Sequence, residues 1–545
     1  MRRVAISDVL AGLAVAGLIL PEGVAYAGIA GLPPGRALAA GIAGGLAYVV
    51  VGRSRFAVLS PTSSSAAILA AALATLPGSP AERAGLASAL VMAVGLIFLG
   101  LAAFRLGGLS GFISRPVLRG FAFGLAVTII VRQLPKLFGV AVPGGPIWRI
   151  VGSLLASMTA WRIESVALGF VALGLLLALR QVPRVPAALV VLAAGFALAF
   201  VVDLPAHGVA IAGPVMLALP GFAFPTDLAI WAQLLQLAAP IALIVFAESW
   251  GTMRGLALRH GDALSATREL AAVGLANVAA ALAQGMPVGA GFSAGSANES
   301  AGAAGRLAAL TAALALLLLG LFAGPLIARI PEPVLAAVVI GALTHALSPA
   351  PIVTLFRIGR DQWIALAAAL GVLGLGVLDG MLAAIALSIA QLLYRLSHPS
   401  ISVLGQVGAS HDFVDIAQHG DAHALPGVAI FRPNAPLMFA NAEAVLREIG
   451  KQARAGSAQT VVLSLEESDD LDSTATEVLD EFCGALAAAG RQVVLARVHD
   501  RVRAVLTAAG LGTLAQASTF SVADAVAVGN TSGPAAAPAT PTGDE

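Results

Sequence analysis

VLAGLAVAGLIL (Val9–Leu20) runs without a charge into Pro21-Glu22-Gly23, and LAAPIALIVFA (Leu237–Ala247) runs in the same way into Glu248-Ser249. The fold is decided by the segments that lie beyond each carboxylate. About 41 residues beyond Glu22 comes Pro61-Thr62-Ser63-Ser64-Ser65, and 45 beyond Glu248 comes Ser293-Ala294-Gly295-Ser296. An ionisable side chain at membrane depth costs several kcal/mol, so by default it marks the route of a substrate or proton. The same order met twice predicts two structural repeats that share one central site. The pattern is that of a membrane transporter, and Pro21 is expected to cut the first helix.

Composition agrees. Of 545 residues, 58% are hydrophobic and 11% charged, where a soluble domain carries roughly 25% charged residues; the mean hydropathy is +0.91. Many windows reach the ~20 apolar residues that cross a ~30 Å hydrocarbon layer. Arg2 and Arg3 open the first of these, read as a span because no small-residue cleavage site comes after it. Apolar runs centre near residues 12, 44, 68, 95, 125, 172, 194, 243, 276, 299, 316, 340, 370 and 387, which gives fourteen. The third and tenth are short and come directly after the Ser/Gly-rich breaks, as half-helices joined to unwound strands would. With the amino terminus inside, sixteen basic residues fall in cytoplasmic connectors and seven outside, which fits the positive-inside rule and an even span count. The reading is a multi-pass protein of the cell inner membrane, with its amino terminus and its carboxy-terminal domain in the cytoplasm.

Charge density changes near Pro399. Residues 1–399 form the membrane part, with repeats about 5–202 and 233–398; 400–527 read as soluble, and 528–545 as a Pro/Ala/Thr/Gly-rich disordered tail. Within the soluble part, Val428–Arg432, Leu437–Phe439, Thr460–Leu465 and Gln492–Ala496 are predicted strands. Ala442–Ala453, Thr474–Ala489 and Arg501–Ala509 are predicted helices, capped by Asp472 or Ser473 and stopped by Gly510. Strands alternating with helices make a small α/β module.

Half-helix amino termini offer unpaired amides and a partial positive charge, suited to an anion. Thr62, Ser63, Ser64 and Ser293, Ala294, Gly295, Ser296 are the candidate substrate-binding residues, since two such termini facing each other need no Lys or Arg. The competing reading is that small residues permit close helix packing in lipid. Glu22 and Glu248 are candidate coupling residues, as proton acceptors, cation ligands or lids held by backbone amides. Glu299 and Asn298 carry a weaker claim, and Arg132 and Lys136 are expected to anchor a helix end by snorkelling. The histidines show no metal-ligand spacing, the single Cys483 offers no disulfide, and no G-x-x-x-x-G-K-[ST] loop, hydrolase elbow or metalloprotease motif occurs. No cofactor, metal, nucleic-acid partner or enzymatic activity is expected.

The chain resembles the sulfate permease (SulP) family of anion transporters, related to animal anion exchangers and prestin. The family's P-Q-G-x-A-Y-A-x-x-A-G-L-P-P reads here Pro21-Glu22-Gly23-Val24-Ala25-Tyr26-Ala27 and Ala30-Gly31-Leu32-Pro33-Pro34. Its F-[IL]-S-[KR]-P-V-x-x-G-F is similar to Gly111-Phe112-Ile113-Ser114-Arg115-Pro116-Val117-Leu118-Arg119-Gly120-Phe121, followed by Gln133-Leu134-Pro135-Lys136-Leu137. A third block holds Glu248-Ser249, Arg268-Glu269-Leu270, Gly274-Leu275-Ala276-Asn277 and Ala301-Gly302-Ala303. The resemblance spans essentially the whole chain. It implies an all-α polytopic domain of fourteen spans in two inverted seven-span repeats, core and gate, with substrate between the third and tenth. It also implies a homodimer and a cytoplasmic α/β STAS domain. Leu471-Asp472-Ser473-Thr474 matches the loop where related antagonists carry a phosphorylatable serine, but the acidic run before Ser473 repels a phosphate, and a helix cap is the plainer reading. Three departures stand out: Glu22 for the usual Gln, Ala294 for a frequent Arg, and Ser60-Pro61-Thr62 for G-P-x-A.

A site of acids with no fixed cation nearby repels an anion until an acid is protonated; two like charges 4 Å apart cost about 4 kcal/mol at an effective dielectric of ~20. The leading expectation is therefore proton-coupled symport of a small anion (carboxylate or dicarboxylate, bicarbonate or sulfate). The alternatives are a sodium-coupled bicarbonate symporter, an uncoupled exchanger, and a membrane sensor with the STAS domain as output. Membrane lipid is the surrounding partner in all of them.

Overall fold

The computed structural model describes residues 2–108, 114–182, 187–213, 224–322, 324 and 328–531. Residues 111–113 of the second motif, Arg184, and the tail from residue 532 lie outside them. Two compact units divide at Ser388/Ile389.

In the first unit the apolar runs form α1 (Arg2–Ile29), α2 (Pro34–Val51), α3 (Ser63–Thr75), α4 (Pro80–Ala103), α5 (Arg115–Phe138), α7 (Ile163–Leu179) and α8 (Ala187–Val201). The series repeats as α9 (Leu228–His260), α10 (Ala266–Leu282), α11 (Phe292–Ser300), α12 (Leu307–Phe322), α13 (Glu332–Leu343), α15 (Gln362–Leu375) and α16 (Val377–Ser397). Each of the fourteen expected centres falls inside one of these helices. The short helices α6 (Ile147–Ala156) and α14 (Ala350–Ile358) occupy matching places in the two series, as do the strands β1 (Leu59–Ser60) and β2 (Gly289–Ala290). Among the described residues, six helices are long and apolar enough to cross a membrane on their own: α1, α2, α4, α5, α9 and α16.

The two series are related by exchange. Where α4 packs on α10, α12 packs on α2; where α5 packs on α15, α13 packs on α7; where α1 packs on α12, α9 packs on α4. β1 pairs antiparallel with β2 (Leu59 opposite Ala290, Ser60 opposite Gly289), as a two-fold axis between them requires. Packing sorts the helices into two groups. α1–α4 with α9–α12 form one, and α5–α8 with α13–α15 the other, which α16 joins through Gly380 against Gly371 of α15. The groups meet chiefly through α1 against α8 and α13, and through α3 against α5. Small residues make the close contacts that lipid-embedded helices need: a Cβ on Gly120 of α5 would stand 1.9 Å from the Ala365 carbonyl oxygen of α15.

Pro21 does not end the first helix. α1 continues through it to Ile29, as α9 does through Pro240 and α5 through Pro135. One proline removes one backbone donor, and membrane-embedded helices tolerate that loss where neighbours re-satisfy the freed group. Nor are Ser293–Ser296 an unwound break; they are the opening turns of α11.

The second unit holds β3 (Ile401–Val407), β4 (Phe413–Asp415), β5 (Ala422–His423), β6 (Val428–Pro433), α17 (Ala442–Ala455), β7 (Thr460–Ser464), α18 (Ser473–Ala488), β8 (Gln492–Ala496), α19 (Asp500–Ala508), α20 (Gly512–Gln516) and α21 (Val522–Thr531). The sheet order is β4-β3-β6-β7-β8, with β5 also on β3; β6, β7 and β8 are parallel and β3 antiparallel to β6. Alternation along the strands fills both faces. Val461 and Leu463 pack with α17, α18 and α19, while Val462 packs with Val522, Ala525 and Val526 of α21. Leu437–Phe439 is not a strand. The amide of Leu437 donates to Ser468 Oγ (3.0 Å) and that of Phe439 to Asp472 Oδ2 (2.6 Å), so side chains of the acidic loop and its cap take the donors a neighbouring strand would have taken. Asp472 caps α18 through Ala475 (2.8 Å), and Gly510, at φ +83°, comes after α19 in the left-handed region.

Candidate anion site

β1 and β2 bring the starts of α3 and α11 together. Thr62 is the N-cap of α3: its Oγ1 accepts from the Ser65 amide (3.1 Å) and the Ser65 hydroxyl accepts from the Thr62 amide (2.9 Å), a closed capping box. Ser65 Oγ also reaches the Pro287 carbonyl (3.0 Å), tying α3 to the chain that enters β2. On the other side, Asn277 of α10 receives the Val288 amide (3.0 Å) and donates to the Val288 carbonyl (2.9 Å), and the Ala290 amide donates to Ser249 Oγ (2.9 Å). The N-cap of α11 is Gly291, with no side-chain cap. A Cβ there would stand 3.3 Å from the Thr62 methyl group, so the two helix starts are in contact.

A cavity of about 400 Å³ opens beside them, between the two helix groups. Glu22, Thr62, Ser63, Ser64, Glu248, Ser293 and Ala294 all line it. Gly295 and Ser296 do not: a Cβ on Gly295 would press on Leu256 (3.0 Å) and Thr252 (3.2 Å), which is the packing use of a small residue, and Ser296 Oγ is buried without a hydrogen-bond partner. Position therefore divides the segment: Ser293 and Ala294 line the cavity, and Gly295 serves helix packing.

The carboxylates cross over between the series. Glu248 on α9 accepts from Thr62 Oγ1 (3.2 Å) and interacts with Ser64, both at the start of α3. Glu22 on α1 interacts with Ser293 at the start of α11, is 4% exposed, and leaves Oε1 buried with no hydrogen-bond partner. Tyr26 and Thr252 also line the cavity, and neither was among the residues expected there from the sequence. Each stands four residues beyond a carboxylate, one turn along the same helix face; that spacing was the available signal. Tyr26 interacts in turn with Ser63.

The cavity is not without a fixed cation, as the sequence led us to expect. Arg119 of α5 joins its lining while staying exposed, and the Arg180 guanidinium acts electrostatically on Glu22. Nothing in the spacing of the motifs revealed this, since α5 comes to the cavity from the other helix group. Glu299 lies away from the cavity, paired with Arg259 (3.1 Å) and His260 (2.8 Å), and Asn298 donates to the Phe56 carbonyl (3.1 Å). Glu269, 0% exposed, accepts from Tyr48 Oη (2.6 Å) and from the Arg53 amide (3.0 Å). It is a structural tie.

A model of the sulfate permease family matches residues 6–369, and one of the STAS domain matches residues 420–523. A probable sulfate transporter of Mycobacterium tuberculosis is 37% identical over 92% of this chain and 91% of its own length. Human solute carrier family 26 member 6 is 30% identical over 80% of this chain and 61% of its own length. Among solved structures, murine solute carrier 26 family member A9, an anion transporter in the inward-facing state, superposes with a TM-score of 0.87 at 21% identity, covering 96% of this chain and 91% of that one. The transmembrane domain of a cyanobacterial bicarbonate transporter superposes with a TM-score of 0.61 at 21% identity, covering 70% and 97%.

Proposed function

Since the chain belongs to the sulfate permease family of anion transporters and carries a STAS domain, we propose that it is a proton-coupled symporter of a small anion, working by alternating access of the cavity between its two helix groups. The observation that carries this reading is the crossed pair of carboxylates, Glu22 toward Ser293 and Glu248 toward Thr62 and Ser64, in one cavity with two helix starts. First-turn amides such as those of Ser293 and Ala294 have no acceptor within their helix, and an anion is the natural one. The cavity of about 400 Å³ accommodates sulfate, bicarbonate or a small carboxylate with part of its water, each water occupying about 30 Å³ of liquid volume.

Coupling follows from charge. An ionised carboxylate within ~4 Å of the anion opposes binding by about 4 kcal/mol, or about a thousandfold in affinity. A proton on that carboxylate removes the penalty, so proton and anion bind cooperatively. Arg119 at the exposed edge draws anions in without neutralising the carboxylates deeper in the site. Residues 1–399 are the transport part, the charge bias of the connectors supports a cytoplasmic amino terminus and STAS domain in the inner membrane, and the family resemblance supports a homodimer. A second reading, sodium coupling, is favoured by one detail: the Glu248 carboxylate beside the Thr62 and Ser64 hydroxyls is a set of hard oxygen donors.

The deciding experiment is uptake of labelled sulfate, bicarbonate and carboxylates into proteoliposomes under an imposed proton or sodium gradient. Acceleration by an inward proton gradient alone supports the proposal, and acceleration by sodium alone replaces it with the second reading. Deleting the residues after Pro399 should leave measurable uptake; its complete loss, with the membrane part still folded, would point to a sensor whose output is the STAS domain.

A further inference from the structure

A second cavity, of about 530 Å³, shares no lining residue with the first. It forms where the last turn of α1 (Gly28, Ile29) meets the end of α5, the segment 139–144, α7 and the first residue of α13. Two cations face it, Arg132 and Lys136, one turn apart on α5. Its single lining carboxylate, Glu332, stands 3.7 Å from Lys136 Nζ, both side chains partly exposed, a loose pair of small worth. Arg132 reaches the Gly145 carbonyl at 3.5 Å, and among the described residues no carboxylate lies within ion-pair distance of it.

The donor that tips the balance is Ser165. Its side chain is 0% exposed and lines the cavity, yet Oγ has no hydrogen-bond partner. A buried hydroxyl left unpaired costs about 1–3 kcal/mol, so its position calls for an acceptor. Gly139, at φ +67°, packs directly on that hydroxyl: a Cβ there would lie 2.6 Å from Ser165 Oγ. Two cations against one carboxylate, with a buried unpartnered donor between the walls, form a receptor for an oxyanion. Snorkelling explains neither the orphaned hydroxyl nor the half-used arginine.

We propose that this cavity is a second anion site: a small oxyanion binds between Arg132 and Lys136, accepts a hydrogen bond from the Ser165 hydroxyl, and displaces Glu332 from Lys136. Both cations lie in the last two turns of α5 and Arg119 in its first two, about 20 Å away along the helix, so the site lies at the opposite end of α5 from Arg119.

Lysine content makes a direct test available. Lys136 is one of two lysines in the chain; the other is Lys451, on α17 of the second unit. The full chain, in vesicles of phosphatidylcholine alone, is treated with an amine-acylating reagent, and each lysine is monitored by mass spectrometry. Sodium sulfate, compared with sodium chloride at equal ionic strength, should slow acylation of Lys136 about tenfold at ten times its Kd, by mass action, and leave Lys451 unchanged. Arg132→Gln should raise the half-protecting sulfate concentration about tenfold, the worth of a charge-assisted hydrogen bond, and Glu332→Gln should lower it. A Lys136 rate indifferent to sulfate overturns the proposal. So does protection that Arg132→Gln leaves intact, or protection that tracks added phosphatidylglycerol in place of sulfate. The readout is labelling, so it holds whether or not uptake proves to be proton-coupled.

Discussion

The two helix starts that meet at the β1–β2 pair are finished differently. α3 closes on itself through the Thr62–Ser65 capping box and lends Thr62 to Glu248. α11 begins at Gly291 with no side-chain cap, and the carboxylate opposite it, Glu22, keeps one oxygen unpartnered. The two series share geometry because the same element order produces it. They do not share chemistry, because each cap is a choice of one or two side chains. On the proposed reading, the α3 side fixes the site and the α11 side responds to its occupant. Substitutions on the two sides should separate these roles.

The largest effect is expected at Glu248→Gln. The amide keeps the size and can still accept from Thr62 Oγ1, but it cannot exchange a proton. Proton-driven uptake should fall about tenfold or more, a barrier change of about 1.4 kcal/mol or above, while the melting temperature holds. Uptake with unchanged rate and pH dependence would remove Glu248 from the coupling.

On the opposite side, Ala294→Arg supplies the fixed cation that the start of α11 lacks. Attraction at ~4 Å of about 4 kcal/mol, reduced by the cost of fitting the longer side chain, should tighten anion binding about tenfold and make uptake less dependent on pH. Binding measured by isothermal titration at two pH values checks both, and a steeper pH dependence in the variant would contradict the division between a fixed and a responsive side.

If Glu22, with one oxygen unpartnered, carries the proposed proton, Glu22→Gln should preserve maximal uptake and flatten its rise as external pH falls. Parallel pH profiles for wild type and variant would assign the proton to Glu248, and the responsive side of the site with it. Thr62→Val is expected to cost about 1 kcal/mol through the lost cap, seen as a few degrees in melting temperature and a few-fold weaker uptake.

The smallest effect on transport should come from Asp472→Ala in the second unit. It removes the acceptor for the Ala475 and Phe439 amides and should destabilise that unit by about 1–2 kcal/mol, while uptake stays within twofold, a shift of about 0.4 kcal/mol or less. Cys483 provides the measurement: burial, with Asp480 nearby, pushes its thiol up to about 12, so alkylation at pH 8 reports opening of the unit and should accelerate in the variant.

Much of this molecule was legible without coordinates. Apolar length located fourteen of the sixteen α-helices described in the membrane unit, all but the short α6 and α14, because the cost of an unsatisfied backbone in lipid leaves a long apolar segment few alternatives to a helix. The alternating strand and helix signals of the second unit gave β6, β7, β8 and the three helices between and after them. β3 to β5 were not seen, and Leu437–Phe439 was misread, because a short strand and a loop pinned by Ser468 and Asp472 differ in partners more than in residue type.

By itself, the sequence determined the membrane class, the repeated order, and the pairing of each acid with a later Ser/Gly-rich segment. Burial cost and periodicity act locally along the chain and leave their mark in composition. Only the tertiary structure decided that Glu22 faces the second series and Glu248 the first, that Gly295 packs while Ala294 lines the cavity, and that Arg119 joins the site from another helix group. It also separated those two carboxylates from Glu269, one oxygen of which takes the Tyr48 hydroxyl and the other the Arg53 amide. The physical reason is reach. Hydrogen bonds and Coulomb interactions act over a few ångströms in space, between residues more than two hundred positions apart, and no local pattern along the chain records which of them will meet.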